Sequence, residues 1–265
     1  MLKSKIELVF LSLDVDSLVE LQNQIGDSSN DFKFKYLADK IEHLDQLEQY
    51  DVVVSPANSF GELKGGIDYY YCKLLGGNKL QSYVYERVLK EQQGEIPIGQ
   101  TLIIDLVKFS QIYNQTTNQQ NEFNNYTGKP SQFYMCPTMT IPMNVDGTRN
   151  AYLFMKTLIR TLLDSNNKTI DENNRSKNLL DEKSNRIIKK VLVPLPAIGV
   201  GGMKPKAMAK QIKVAIQAYE GKGIIPAIFM TSQNEQSFRE QKIYEYQPNN
   251  VLQNAKMACI QTAKP

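Results

Sequence analysis

Two loops hold the residue types that can do chemistry. The first, SPANSFGELKGGID, runs from Ser55 to Asp68 behind the apolar triplet Val52-Val53-Val54. Its Asn58 leads to Gly65-Gly66, which open a predicted helix. Backbone N–H groups at a helix N-terminus suit an anion or a sugar hydroxyl. Asn and Gly in such a place serve a plain tight turn equally well, because both tolerate special backbone angles. The second loop, LPAIGVGGMKP, runs from Leu195 to Pro205 and again lies between a predicted strand and a predicted helix. Gly199, Gly201 and Gly202 let the backbone approach a ligand closely and aim N–H groups at a phosphate. The loop is not a dinucleotide fingerprint, since the third glycine is missing and the strand before it comes late in the chain. Nor is it a Walker A loop, which needs a Gly-Lys-Ser/Thr triplet.

Other chemistries are excluded by what the chain lacks. His43 is the single histidine, so a mechanism needing two is not available within this chain; it reads as a surface helix or turn residue. Cys72, Cys136 and Cys259 lie far apart without a CxxC spacing, so neither a zinc site nor a disulfide framework is expected. No acidic cluster suggests a metal, and no cofactor is expected. With 31 Lys plus Arg against 28 Asp plus Glu, the net charge of +3 gives no electrostatic argument for nucleic acid or an anionic membrane. The apolar run at the N-terminus is broken by Ser12 and Asp14 and is too short to span a bilayer. No small-residue cleavage site follows it, so no signal peptide is expected. These features lead to the expectation of a cytoplasmic protein, with nuclear entry left open.

The elements that must position the loops alternate between two periods. Ile6–Leu13, Phe32–Leu37, Val52–Val54, Thr101–Phe109, Phe133–Cys136 and Val191–Leu195 read as strands. Asp16 is a candidate cap for a helix through Leu18, Leu21 and Ile25. Leu80–Gln93 reads as a helix stopped by Gly94. A third helix carries Ala151, Met155, Leu158, Ile159 and Leu162 on one face, and a fourth opens at Pro205 and stops near Gly221. Strands alternating with helices imply a mainly parallel sheet covered on both sides, with ligands outside the carboxyl ends of its strands. The polar stretches 111–132 and 164–186 cannot bury enough apolar surface to offset the entropy of ordering them. They are expected to be surface insertions in a single domain spanning 1–265.

The two loops together resemble those of the macrodomain family. SPANSFGELKGGID resembles the first ligand loop of macrodomains, and PAIGVGG resembles their diphosphate loop. A closer resemblance, to a fungal and phage-associated branch, rests on SPANSFG, GGID, PIGQ (Pro97–Gln100), PTMTIP (Pro137–Pro142), NAY (Asn150–Tyr152) and the glycine loop, in that order. The resemblance implies a three-layer α/β/α fold with a mostly parallel mixed sheet and a pocket for ADP-ribose. It places Asp39 at the adenine with Ile41 beside the base, Asp14 and Asp16 competing for that role. Ala57, Asn58 and Ser59 form the distal-ribose motif, with Asn58 on the sugar hydroxyls. Gly65, Gly66 and Ile67 match the turn around that ribose, and Gly199, Val200, Gly201, Gly202 and Met203 match the diphosphate loop. Lys64 stands where the family has a glycine, Val200 lacks a hydroxyl, and the second loop is one residue short. Members of the branch hydrolyse ADP-ribose 1″-phosphate, a by-product of fungal tRNA splicing, with an Asn and an Asp ten residues apart; Asn58 and Asp68 have that separation. Some relatives add a histidine in the second loop, where this sequence has none. The expected function is therefore an ADP-ribose 1″-phosphate phosphatase. A non-catalytic reader of free or protein-linked ADP-ribose and an ADP-ribosyl hydrolase are the alternatives.

Overall fold

Alternation along the strands builds two cores on opposite faces of one sheet. In β1 (Ile6–Ser12), Ile6, Leu8 and Phe10 join one buried cluster while Val9 and Leu11 join the other, the period-two consequence of strand geometry. The same division separates Val52 and Val54 from Val53 in β3 (Val52–Ser55), and Val191 and Val193 from Leu192 in β6 (Lys190–Pro194). Strands covered on both sides read as continuous apolar runs, which is why these segments are visible in the sequence. The computed structural model describes residues 5–41, 47–116, 130–175 and 187–221.

The remaining strands are β2 (Phe32–Ala38), β4 (Leu102–Asp105) and β5 (Gln132–Met135). The six form one sheet in the order β2-β1-β6-β3-β5-β4. Neighbours are parallel except β4, which runs antiparallel to β5 with Leu102 opposite Met135. Helices α1 (Val15–Ile25), α5 (Asn150–Arg175) and α6 (Pro205–Tyr219) pack over one face, through Leu21, Leu158 and Ile212 among others. Helices α2 (Gly66–Leu75), α3 (Gly77–Gln92) and α4 (Leu106–Thr116) contribute Tyr71, Val84 and Phe109 to the opposite core. The result is the three-layer α/β/α arrangement with a mostly parallel mixed sheet. Among the described residues, no helix is long and apolar enough to cross a membrane.

Several boundaries differ from the sequence expectation. The N-cap of α1 is Asp14, whose carboxylate accepts from the N–H groups of Asp16 and Ser17; Asp16 lies inside the helix. The predicted strand Thr101–Phe109 stops at Asp105, whose carboxylate accepts the Lys108 N–H at 2.9 Å and turns the chain into α4. Helix α3 begins at Gly77, and its left-handed C-terminal residue is Gln93 (φ 56°), one before the expected Gly94. The polar stretches are in part regular structure: α4 extends to Thr116 and α5 to Arg175. Positions 117–129 and 176–186 lie outside the described residues, as do His43, Cys259 and everything after residue 221.

Topology fixes where a ligand can enter. Adjacent strands β6 and β3 send their following helices, α6 and α2, to opposite faces of the sheet. The two loops therefore part company at the carboxyl ends of these strands and leave a crevice between them, as at any such switch point.

Candidate functional site

That crevice is a cavity of about 660 Å³, within the range of small-molecule sites. Four strand ends build it. Leu11 to Asp14 end and follow β1, Asp39 to Ile41 follow β2, Pro56 to Asn58 follow β3, and Pro194, Leu195 and Ala197 to Gly201 end and follow β6. A further wall comes from Thr138, Met139 and Pro142 after β5, and the first turn of α2 adds Gly66, Ile67, Asp68 and Tyr70.

The first loop is held from α3, from the loop after β5 and by its own Asn58. Gln81 of α3, buried, donates through Nε2 to the Gly61 carbonyl at 2.9 Å and accepts the Leu63 N–H on Oε1 at 2.7 Å. The Ser59 N–H donates to the Met139 carbonyl at 2.9 Å, and the Thr138 N–H to the Ala57 carbonyl at 3.0 Å, which ties the β3 and β5 loops together. Asn58 closes the turn: its Oδ1 accepts the N–H groups of Phe60 and Glu62 at 3.1 and 3.2 Å, and Nδ2 donates to the Glu62 carbonyl at 3.4 Å. An amide nitrogen carries two hydrogens, so the second is what Asn58 has to offer a ligand. Gly65, the N-cap of α2, brings no side-chain bond. The N–H groups of Gly66, Ile67 and Asp68 in the first turn, which have no intrahelical partner, meet no acceptor among the described residues and stand at the cavity wall.

The second loop is shaped by a close approach. A Cβ on Gly201 would lie 2.5 Å from the Ala197 carbonyl oxygen, so only glycine fits. The N–H groups of Gly202 and Met203 turn inward to Ile198 and Ala197 carbonyls at 3.0 and 2.9 Å, and the Gly201 carbonyl accepts the Val145 N–H at 2.8 Å. The N–H groups of Gly199, Val200 and Gly201 meet no acceptor among the described residues. Consecutive free N–H groups in a glycine turn form a concave anion site. Val200, at the tip, is 65% exposed.

The charges in this cavity are mixed. Asp14, Asp39, Glu62 and Asp68 line it with Lys40 and Lys64. Asp14 is committed to α1, and the Ser17 hydroxyl holds its carboxyl below the ordinary range. Asp39 accepts the Lys40 N–H at 2.7 Å. Lys64 pairs with Glu62 at 2.9 Å at the exposed mouth. Asp68 is different. Its surface is only partly covered because it opens onto the cavity, yet protein atoms surround it in depth. Burial pushes its carboxyl up to about 7, against the opposing pull of a hydrogen bond from Ser55, since a charged carboxylate is disfavoured away from water. Among the described residues, no group of three His, Cys, Asp or Glu is placed to hold a metal.

Of the residues singled out in the sequence, the cavity brings together Asp39, Ile41, Ala57, Asn58, Gly65, Gly66, Ile67, Asp68, Gly199, Val200 and Gly201. Ser59, Gly202 and Met203 stand outside its lining. Ser59 and Met203 are buried, Met203 in the core beneath the loop, and Gly202 turns against the Asn144 amide. Asp16 is exposed on α1, away from the cavity. Of the three consecutive tyrosines, Tyr70 faces the cavity, Tyr69 faces solvent and Tyr71 is buried, as 100° steps around a helix require. Sequence reasoning missed the lining by Ser12, Leu13 and Lys40. Each lies at or just beyond the end of a strand whose place in the sheet is set by pairing with distant segments.

No family model matches the chain, and no curated protein matches it. Among solved structures it is similar to the macrodomain of Mycobacterium tuberculosis DarG, with 18% identity and a TM-score of 0.39 over 64% of this chain and 83% of that one. It is also similar to an Oceanobacillus iheyensis macrodomain with MES bound, with 15% identity and a TM-score of 0.40 over 64% of this chain and 72% of that one. Likeness of this degree does not carry function from either protein to this chain.

Proposed function

We propose that the cavity binds ADP-ribose and that the protein hydrolyses ADP-ribose 1″-phosphate. The observation that carries this reading is the meeting, in one cavity, of two loops with open backbone N–H groups and of the Asp68 carboxyl on its wall. The free N–H groups of Gly199 to Gly201 suit the diphosphate. The apolar walls after β1 and β2, with the Asp39 carboxylate as an acceptor for an exocyclic amine, suit the adenine. Asn58 holds the distal ribose through its remaining amide hydrogen and so orients the phosphate.

In the hydrolysis, water adds to phosphorus and the bond from phosphorus to the C1″ oxygen breaks. Ionised Asp68 takes the water's proton, and a proton returns to the departing sugar oxygen. Charge on the phosphoryl oxygens is met by open N–H groups at the start of α2. A second reading is a non-catalytic reader of ADP-ribose; the engagement of Asn58 Oδ1 within its own loop favours it. Phosphate release from ADP-ribose 1″-phosphate by the wild type and by Asp68→Ala and Asn58→Ala separates the two. Release by the wild type and its loss in Asp68→Ala are expected. Wild-type binding of ADP-ribose without release would leave the reader, and turnover untouched by both substitutions would place the chemistry elsewhere.

A further inference from the structure

We propose that Ser55 is the positioning residue for Asp68, orienting its carboxyl through Oδ1 and sustaining its ionised form. This inference rests on the reading of Asp68 as the group that acts on the substrate's water. Ser55 is the last residue of β3 and is wholly buried. Its hydroxyl donates to Asp68 Oδ1 at 2.5 Å. An acid at the third position of a helix commonly reaches back to its own N-cap; Asp68 instead reaches across the loop to the end of the strand. Strand and helix are thereby tied at the point where the loop between them wraps the cavity. Oδ1 is committed to Ser55, and no donor among the described residues meets Oδ2, which is the oxygen left for the cavity.

The other groups near Asp68 do not replace this bond. Tyr71, on the same helix, interacts electrostatically with the carboxyl and with Tyr50 ahead of β3, and its buried hydroxyl has no hydrogen-bond partner among the described residues. Across the cavity stand Asp14, Asp39 and Glu62, which disfavour a further negative charge, and Lys40 and Lys64, which favour it. Among the described residues Ser55 is the single hydrogen-bond donor to the carboxyl. Removing it leaves desolvation unopposed.

The test is a titration of the Asp68 carboxyl carbon by NMR in aspartate-labelled wild type, Ser55→Ala and Ser55→Thr, beside pH profiles of phosphate release. A hydrogen bond to a charged group corresponds to a shift of about one pH unit. The Asp68 midpoint is expected to rise by that amount in Ser55→Ala and to stay at the wild-type value in Ser55→Thr, which keeps the hydroxyl. With a wild-type midpoint at about 7, turnover of Ser55→Ala at neutral pH is expected to fall about fivefold and to recover at alkaline pH. An unmoved or lowered midpoint in folded Ser55→Ala overturns the proposal, whatever the activity. A raised midpoint with no turnover in any protein supports the role of Ser55 and rejects the phosphatase reading instead. Should Ser55→Ala not fold, Ser55→Cys takes its place: a weak thiol donor is expected to give a smaller rise, and no rise would overturn the proposal.

Discussion

Asp68 costs the fold stability wherever it is ionised. Its folded-state titration lies at about 7 against an ordinary 3.8, and burial is the cause. The folded protein therefore holds this proton more tightly than the unfolded chain does, so stability falls as pH rises from about 4 to about 7. Asp68→Asn keeps an oxygen for the Ser55 hydroxyl and removes the charge. It is expected to stabilise the protein at pH 8 by about 2 kcal/mol, once solvent contact in the cavity is allowed for, and to have little effect at pH 4. Thermal melts of both proteins across that range check this; a benefit independent of pH would contradict it. A residue kept at such a cost fits a functional demand. The separation of Asn58 and Asp68 is legible in the sequence through the family resemblance. The Ser55–Asp68 bond is not, because the strand end and the helix turn meet only after the loop between them has folded back. The use of Asn58 Oδ1 to close its own turn is equally invisible to a reading that assigns the side chain to a ligand.

Among the elements, α3 does more than cover the sheet. Gln81 reaches from its buried face to both sides of the Gly61–Leu63 turn, fixing the first loop from beneath. Gln81→Ala would strand a buried N–H and a buried carbonyl, at about 2 kcal/mol or more. The expected outcome is a lower melting temperature together with weaker ADP-ribose affinity, measured by calorimetry; unchanged affinity would show that the loop holds its shape without α3. The helix itself is legible from its periodicity, but the task of Gln81 is not, since a polar residue on a helical pattern reads as solvent-facing. The end of β4 was obscured for a related reason. Leu106 and Phe109 continue the apolar run of Leu102 and Ile104, and only the Asp105 cap divides strand from helix.

At the scale of the molecule, the site is a product of strand order. The apolar runs give the strands and their two-sided burial, so the fold class is readable before any contact is known. The order β2-β1-β6-β3-β5-β4 is not, because it depends on pairing between distant segments such as Val52 with Val191. That order sets the crevice between β6 and β3 and brings the ends of β1 and β2 into the same cavity. Binding of ADP-ribose across both loops is what this order of strands would permit. It is tested most directly by calorimetric titration of ADP-ribose into the wild type and into Gly201→Ala, whose added Cβ must displace the Ala197 carbonyl. Saturable one-to-one binding by the wild type is expected, with at least about tenfold weaker binding by a folded Gly201→Ala, the loss of one or two charge-assisted hydrogen bonds. No binding by the wild type, or equal binding by both proteins, would contradict it.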